Sequence, residues 1–291
     1  MNVFVTGATG WVGSAVVQEL LRAGHRVCGL ARSDEKAATL AATGSQVVRG
    51  TLDDLDTLQR AAAEADAVVH TAFNHDFSNF AQSAVQDRLA IEAIGSVLAA
   101  SGRPLLVTSG LLGLAKGRLA TEADRPGAHS IRQSEAAAQA LAEHGVRVAT
   151  VRLAPSVHGV GDHGFVPMLI RLARETGVSA WLDEGMNCWA GVHRLDAARV
   201  YRLALERGVT QPVYHAVADE AVPFRQIAEV IARRLGVQAA PRRQEHFGWF
   251  AHFAGADMAA SAEQTRSNLG WAPAEPGLLA DIDQAAYYLD R

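Results

Sequence analysis

The segment TGATGWVGSAVV, residues 6–17, follows a short apolar run and carries three glycines, Gly7, Gly10 and Gly13. This spacing is typical of the turn between a buried strand and the first helix of a dinucleotide-binding unit. In such a turn the first glycine permits the tight bend, the second lets the backbone approach a pyrophosphate, and the third lets the helix pack against the strand. The helix N-terminus adds backbone amides and the positive end of its dipole. The segment therefore predicts a dinucleotide site, the alternative being a tight turn without a ligand.

The first half of the chain continues this alternation of strand and helix. Six apolar runs of strand length, from Asn2 to Leu153, are separated by Ala- and Leu-rich stretches. Continuous apolar strands separated by helices indicate a parallel sheet that is covered on both faces. The sequence therefore predicts an α/β fold, a Rossmann-type doubly wound parallel sheet.

After Leu153 the pattern changes to glycine-rich loops and irregularly joined helices. We assign residues 1–154 to the dinucleotide-binding domain, with residues 191–217 returning to it. Residues 155–190 and 218–291 are predicted to form a smaller, mostly helical C-terminal substrate lobe.

Composition narrows the functional classes. The chain has 291 residues, 49% of them hydrophobic, and a net charge of −4, which gives no basic field for nucleic acid or an anionic membrane. Its two cysteines, Cys28 and Cys188, fit neither a disulfide framework nor a metal site. No apolar run approaches the roughly 20 residues of a membrane span, and the first strand leaves no room for a signal peptide. We therefore expect a cytoplasmic, metal-free monomer or homodimer that acts on a small molecule.

The end of the second strand bears on the choice of cofactor. An NAD site places an acidic residue there for the ribose 2′-hydroxyl, whereas this chain has Arg32 followed by Ser33. A guanidinium and a hydroxyl suit a 2′-phosphate, since arginine forms charge-assisted hydrogen bonds to phosphate oxygens. Asp34 and Glu35 weaken the positive field, and a solvated arginine is the alternative. The pattern favours NADP(H) over NAD(H).

Together these motifs resemble the extended or atypical short-chain dehydrogenase/reductases, the NAD-dependent epimerase/dehydratase type. The triple glycine and the Arg-Ser pair carry the resemblance, along with DAVVHTA (66–72), LLVTSG (105–110) and VRLAPSVHG (151–159). The resemblance supports the predicted fold and implies a nicotinamide cofactor.

The resemblance also implies which residues surround that cofactor. Leu52 and Asp53 would lie by the adenine, residues 71–73 would line the cofactor from the fourth strand, and residues 155–158 would pass beside the nicotinamide. With the glycine loop and the ends of the second and fifth strands, the implied cofactor-binding residues are Gly7, Thr9, Gly10, Trp11, Val12, Gly13, Arg32, Ser33, Leu52, Asp53, Thr71, Ala72, Phe73, Thr108, Pro155, Ser156, Val157 and His158.

In the family, a serine at the exit of the fifth strand is joined by a Tyr-x-x-x-Lys pair on the following helix. Ser109 matches the serine, but Ile131 and Glu135 stand where the tyrosine and the lysine belong. The first tyrosine of the chain is Tyr201 and no lysine follows Lys116, so this sequence cannot contain the pair.

The helix that should carry the missing pair is predicted to begin at Ile131. Ser130 and Gln133 have the spacing of a capping box, and Ile131 and Glu135 would then share one helix face. If Glu135 faces the pocket, its charge would attract a cationic substrate.

Two further side chains have both a catalytic and a structural interpretation. Ser109 either binds the substrate oxygen or is a turn hydroxyl, and His158 either donates a proton or bonds the backbone. The predicted catalytic set is Ser109, Ile131, Glu135 and His158.

The remaining polar candidates are mostly structural in interpretation. His193 and Asp196 fit a turn and a helix cap, and His70 fits a core or cofactor-side position. His129 and Ser130 directly precede the predicted helix and are candidates to face the substrate.

Apolar residues after position 160 are candidates for a substrate pocket. They either wall an apolar pocket or pack the lobe. This set is Phe165, Met168, Trp181, Asn187 and Trp189.

These observations predict an NADP(H)-dependent oxidoreductase that moves a hydride to or from a carbonyl or imine carbon of a small, largely apolar molecule. An iminium ion accepts a hydride without a proton, which suits a site that lacks the tyrosine. Two alternatives stay open. One is an epimerase or dehydratase, disfavoured because such enzymes use the Tyr-Lys pair as a base, and the other is a non-catalytic dinucleotide-binding regulatory protein.

Overall fold

The computed structural model describes residues 1–76, 79–127 and 130–289. Its strands alternate with helices through the first half of the chain, as the sequence predicts. The strands are β1 (Asn2–Thr6), β2 (Arg26–Ala31), β3 (Gln46–Arg49), β4 (Ala67–His70), β5 (Leu105–Gly110), β6 (Val148–Leu153), β7 (Ser156–His158), β8 (Val178–Trp181), β9 (Cys188–His193), β10 (Val213–Ala216), β11 (Asp219–Pro223) and β12 (Gln238–Pro241). The α-helices are α1 (Trp11–Arg22), α2 (Asp34–Ala41), α3 (Leu55–Ala63), α4 (Phe80–Ser96), α5 (Ser134–Glu143), α6 (Phe165–Thr176), α7 (Arg194–Glu206), α8 (Phe224–Leu235), α9 (Ala251–Ala254), α10 (Glu263–Leu269) and α11 (Leu278–Ile282).

Seven of these strands form the central sheet, in the order β10-β6-β5-β4-β1-β2-β3. Every neighbouring pair in this sheet is parallel. The chain winds outward from β1 in both directions, so the strand order reverses between β1 and β4. Ligands of such sheets bind at this switch point, outside the carboxyl ends of the strands. The predicted Rossmann-type fold is confirmed, and the glycine loop lies at the switch point.

The apolar strands bury both faces of the sheet. In β1, Val3 and Val5 belong to the core cluster that α1 and α7 cover, whereas Phe4 belongs to the cluster under α3 and α4. Successive strand residues point to opposite faces, so a strand with two covered faces has no polar alternation. This two-sided burial explains the continuous apolar runs in the sequence.

A separate hydrophobic cluster forms the smaller lobe, built largely from α6, α8 and the aromatic segment 247–254. The lobe also contains a three-stranded sheet, β11-β9-β7, and a two-stranded sheet, β12-β8, which the sequence analysis did not anticipate. Within 218–291, Ala260, Leu269 and Trp271 pack on the main domain rather than on the lobe cluster. The exact lobe boundaries stay a prediction.

The start of α5 differs from the prediction. The helix begins at Ser134 rather than Ile131, and its cap residue, Gln133, makes no side-chain capping bond. The Ser130 hydroxyl donates to the carbonyl oxygen of Arg132 at 3.2 Å instead of completing a capping box. The predicted capping box was therefore wrong, because Ser130 and Arg132 stabilise a non-helical segment ahead of the helix. No helix in the described part of the chain is long and apolar enough to span a bilayer.

Candidate active site

The glycine loop leaves no room for side chains at two of its three glycines. Gly7 has φ +65°, and a Cβ there would lie 2.7 Å from the backbone nitrogen of Ala72. A Cβ on Gly13 would lie 2.0 Å from the carbonyl oxygen of Gly7. Gly10, by contrast, is exposed at the N-terminus of α1. This cradle, closed behind and open at Gly10 and the helix amides, fits the pyrophosphate of a dinucleotide.

The wall beside the glycine loop is the segment after β4. The Thr71 hydroxyl donates to the Thr6 carbonyl oxygen at 2.8 Å, and the Ala72 amide donates to the Thr6 hydroxyl at 3.3 Å. These bonds hold residues 71–73 against the loop. Within the loop, Thr9 and Val12 are half-buried.

Trp11 connects the glycine loop to the segment after β6. Its indole N–H donates to the Val157 carbonyl oxygen at 2.6 Å, and the Arg194 guanidinium lies 4.3 Å from its ring centroid. Pro155 and Ser156 precede this contact, at the carboxyl ends of the strands. The structure thus brings the predicted loop and the predicted 155–158 segment together.

The end of β2 presents an exposed cation. Arg32 is exposed and has no ion pair among the residues that the structure describes. The Ser33 hydroxyl accepts the Lys36 amide at 3.3 Å and caps α2. Arg49 pairs with Asp34 at 3.1 Å, which offsets the charge of one of the two acids, Asp34 and Glu35, that weaken the positive field of Arg32. The Arg32 guanidinium therefore presents an exposed positive charge at the end of β2.

On the side of the site where the adenine is predicted, Leu52 is half-buried against the hydrophobic cluster under α3 and α4. The side-chain amide of Gln86 donates to both carboxylate oxygens of Asp53, at 2.8 and 2.9 Å. Asp53 is therefore tied to α4.

Ser109 and Thr108 face opposite sides of the sheet. The Thr108 hydroxyl donates to the His70 carbonyl oxygen at 2.7 Å and lies 2.8 Å from the hydroxyl of Tyr201. Burial raises the pKa of Tyr201, whose side chain lies on the α7 side and is fully buried. Strand alternation turns Ser109 toward the α5 side, and its hydroxyl makes no hydrogen bond within the described ranges. Ser109 is therefore available to a ligand, and Tyr201 is not.

Glu135 is part of a buried ion pair. The guanidinium of Arg152, whose side chain is fully buried, donates through Nε and Nη2 to the two carboxylate oxygens of Glu135. Its Nη1 donates to His215 Nε2 at 3.0 Å, while His215 Nδ1 donates to the Ser261 carbonyl oxygen at 2.7 Å. Burial lowers the pKa of His215, in keeping with a neutral ring that accepts from Arg152. Since Arg152 neutralises Glu135, the expected attraction of a cationic substrate has no basis in this geometry.

The other residue in the position of the missing pair, Ile131, is 59% exposed and lies ahead of α5. The expected shared face of Ile131 and Glu135 is absent, because Ile131 is not helical. His129, a further candidate, lies outside the described residues.

His158 is a buried residue of the lobe interface. Its Nδ1 lies 2.8 Å from Asp281 Oδ2, which also accepts the Tyr287 hydroxyl at 2.9 Å. Burial opposes the charged form of Asp281, but the bonds from His158 and Tyr287 outweigh it and lower the pKa of this carboxyl. His158 is wholly inaccessible to solvent, so neither the predicted proton donation nor the backbone bond describes what its ring does here. Among the described residues, no His, Cys, Asp and Glu cluster is arranged to hold a metal ion.

His193 and Asp196, which the sequence assigns to a turn and a helix cap, make structural hydrogen bonds. His193 caps α7 by accepting the Leu195 amide at 3.4 Å. Asp196 is buried and accepts the backbone amides of Ala274 and Glu275. These bonds fix the start of α7 and the 271–275 segment, and they occupy both carboxylate oxygens of Asp196.

The predicted pocket residues lie mainly in the lobe core. Trp189 is fully buried and its indole donates to the Phe253 carbonyl oxygen at 3.2 Å, while Trp181 is 6% exposed. The Asn187 amide donates to two backbone carbonyls, and Phe165 and Met168 are half-buried against the same cluster. The packing alternative accounts for Trp181 and Trp189, because both are buried, and for Asn187, because its amide bonds the backbone of the 254–256 segment.

Sequence reasoning missed Arg132, directly next to Ile131. Its guanidinium lies 4.3 Å from the centroid of the Phe73 ring and donates through Nη2 to the Thr108 carbonyl oxygen at 3.0 Å. Its Nε donates to the Ser134 hydroxyl at 3.0 Å. No periodic pattern or motif marks this residue, because it belongs to the non-helical segment before α5.

Behind Arg132 runs a buried chain of hydrogen bonds. The Ser134 hydroxyl donates to Asp87 Oδ2 at 2.5 Å, and His70 Nε2 donates to Asp87 Oδ1 at 3.0 Å. His70 Nδ1 in turn lies 2.9 Å from the Thr6 hydroxyl. His70 therefore has the core role that the sequence predicts.

The sequence profile of the NAD(P)H-binding family matches residues 7–159, from the first loop glycine to just past β7. The chain is 45% identical over 295 residues to an uncharacterised protein of Schizosaccharomyces pombe, covering 99% of this chain and 100% of that protein. It is 29% identical over 252 residues to the 4-hydroxy-2-methyl-3-oxo-4-farnesyl-3,4-dihydroquinoline-1-oxide ketoreductase of Stigmatella aurantiaca, covering 82% of this chain and 75% of that protein.

Solved structures share the fold. A dTDP-glucose 4,6-dehydratase of Streptomyces venezuelae, solved with NAD and TYD bound, superposes with a TM-score of 0.77 at 20% identity, covering 99% of this chain and 97% of that one. The profile match extends over more than half of the sequence and includes the glycine cradle. The chain therefore belongs to the NAD(P)H-binding family, an oxidoreductase- and epimerase-like family, and has the fold of the extended short-chain dehydrogenase/reductases.

Proposed function

We propose that this protein is an NADP(H)-dependent oxidoreductase that transfers a hydride between the nicotinamide and a carbonyl carbon of a small, largely apolar substrate. The observation that carries the proposal is the unbonded hydroxyl of Ser109, at the carboxyl end of β5 and so at the same edge of the sheet as the glycine cradle. The ketoreductase of Stigmatella aurantiaca, which matches most of the chain, supports the same class of reaction.

A carbonyl substrate fits the site better than an imine. The sequence left both open, with Glu135 as the group that would attract an iminium ion. Glu135 is instead paired with Arg152, and the cation on the α5 side is Arg132. A guanidinium repels an iminium ion but stabilises the negative charge that develops on a carbonyl oxygen.

The residues of this chain divide the work as follows. When bound, the reduced nicotinamide supplies the hydride. The glycine cradle and residues 71–73 position the dinucleotide, and the Ser109 hydroxyl donates a hydrogen bond to the substrate carbonyl oxygen. The buried positions of His158 and Tyr201 leave Ser109 or water to deliver the proton to the alkoxide.

For the cofactor, we expect tighter binding of NADPH than of NADH. The exposed, unpaired Arg32 supplies a charge-assisted bond to the 2′-phosphate, and such a bond contributes roughly 1.5–3 kcal/mol, or about tenfold or more in affinity. Fluorescence titration of both cofactors measures the difference. Arg32→Ala should remove the preference while leaving NADH affinity unchanged, and Arg26→Ala, an exposed arginine at the opposite end of β2, is the control. Equal affinities in the wild type would contradict the assignment of NADPH.

For the chemistry, we expect Ser109→Ala to lower kcat/KM for a ketone about a hundredfold or more with NADPH affinity unchanged. The assay is NADPH oxidation with a panel of ketones and matched cyclic imines. Ser101→Ala is the control, because Ser101 lies before β5 and its hydroxyl bonds the Leu98 carbonyl oxygen. Turnover of imines alone, or ketone turnover indifferent to Ser109, would contradict the proposed role.

The two alternative functions, a regulatory protein and an epimerase or dehydratase, predict different results in the NADPH oxidation assay. A non-catalytic regulatory protein binds NADPH tightly and turns over none of the panel. An epimerase or dehydratase uses the nicotinamide transiently and needs a base, and the described site offers no substitute for the missing Tyr-Lys pair.

A further inference from the structure

Arg132 places a positive charge next to the proposed carbonyl-binding serine. Its Nη2 donates to the carbonyl oxygen of Thr108, the residue directly before Ser109. Phe73, which the guanidinium covers, belongs to the segment that lies against the glycine loop. Arg132 is half-buried, so part of the residue is accessible to solvent.

The guanidinium is held in one orientation by neutral groups. The Phe73 ring lies against it, and the Thr108 carbonyl and the Ser134 hydroxyl each accept one N–H. Ser134 is itself fixed by Asp87. A guanidinium with two of its donors already fixed loses little freedom when the remaining donors bind an anion.

The charge of Arg132 has no direct carboxylate partner in the part of the chain that the structure describes. Its nearest acidic side chain along the hydrogen-bond network is Asp87, which bonds Ser134 and His70 instead. Burial lowers the pKa of Arg132, and Asp87 only partly counters this. Nη1 makes no hydrogen bond to a described residue. An anionic oxygen on Nη1 would compensate the buried charge.

We propose that Arg132 binds a carboxylate of the substrate, so that oxo-carboxylates are the preferred substrate class. This inference rests on the proposed hydride transfer to a carbonyl held by Ser109. Because Arg132 bonds the residue next to Ser109, the carboxylate lies within one or two carbons of the reacting carbonyl. The hydride adds to the carbonyl carbon, the π electron pair of the C=O bond moves to oxygen, and that oxygen takes a proton from water. The product is a hydroxy-carboxylate and oxidised cofactor, and the carboxylate itself is unchanged.

The test compares acetoacetate with methyl acetoacetate, which carry the same ketone with and without the charge. Turnover is measured with NADPH, and binding of each compound to the NADP⁺-loaded protein is measured by calorimetry. We expect the wild type to prefer the acid, and Arg132→Gln to lose about ten- to a hundredfold for the acid with little change for the ester. Arg132→Lys should retain part of the preference. Arg88→Gln, in an exposed ion pair on α4, should change nothing.

The outcomes separate this inference from the function on which it rests. Turnover of both compounds with no preference for the acid, or equal losses for acid and ester in Arg132→Gln, overturns the inference and leaves carbonyl reduction in place. Arg132-dependent binding of the acid without any turnover supports the anion site and overturns the proposed hydride transfer. If Arg132→Gln loses its NADPH affinity or unfolds, the test rests on two other measurements. These are the preference of the wild type for acetoacetate over methyl acetoacetate and the part of that preference that Arg132→Lys retains.

Discussion

Replacing Gly13 by alanine should weaken NADPH binding about a hundredfold, equivalent to ~2.7 kcal/mol, and destabilise the fold by about 1–3 kcal/mol. The added Cβ would lie 2.0 Å from the Gly7 carbonyl oxygen and 2.7 Å from the Thr71 hydroxyl. The first of these is a backbone atom, so no side-chain rotation relieves the clash. The N-terminus of α1 must move away from β1, and its amides leave the position that cradles the pyrophosphate. Fluorescence titration with NADPH and urea unfolding measure the two effects.

The matched control is Gly127→Ala. A Cβ at Gly127 meets no atom within 4 Å and its φ is not positive, so both quantities should stay close to wild type. Wild-type NADPH affinity in Gly13→Ala would mean that the dinucleotide does not bind at this loop.

The same close packing explains why the cofactor half of the site could be predicted from sequence. Gly7 and Gly13 are required by contacts between residues that are near one another in sequence or on neighbouring strands, and only glycine satisfies them. Because these steric requirements are local, they produce a fixed spacing of glycines that can be recognised in the sequence. The strands can also be recognised in the sequence, because burial of both faces of the sheet makes them continuous apolar runs.

The residues on the substrate side of the site could not be predicted from local sequence patterns. Glu135 is paired with Arg152, which lies on another element, and no local pattern predicts a partner seventeen residues away. Arg132 gains its position from Phe73 and Thr108, which are even more remote in sequence. Ile131 and Glu135 match the positions of the missing pair in sequence, but α5 begins at Ser134, so the two residues do not share a helix face. Side chains that act across elements become visible only when the elements are placed together.

The small lobe was hard to predict for a different reason. Its strands are three to six residues long, and the pairing of β11 with β9 changes register between Asp219 and Val222. Short irregular strands carry little period-two signal. The candidate pocket residues, such as Trp181 and Trp189, were equally compatible with a pocket wall and with packing until their neighbours were known.

Glu135→Gln should lower the free energy of unfolding by about 3–5 kcal/mol, with NADPH affinity of the folded protein unchanged. The Arg152 side chain is fully buried, and the carboxylate of Glu135 accepts two of its donors. A neutral amide leaves that charge without its counter-ion in the interior, where burial of an unpaired ion is costly. Urea unfolding followed by circular dichroism measures the loss. The control is Glu92→Gln in the Arg88–Glu92 pair, which is exposed and should contribute less than about 1 kcal/mol.

A double variant separates this structural role from a catalytic one. In Glu135→Leu/Arg152→Met both charges are gone, so the double variant should be more stable than either single variant, although His215 loses its donor. Because Glu135 lies in the ion pair rather than in the site, ketone turnover by the folded Glu135→Gln protein should stay near wild type. If Glu135→Gln is as stable as the wild type but loses turnover, Glu135 acts on the substrate after all. In that case the position of the missing lysine is catalytic, and the interior ion pair with Arg152 contributes little to stability.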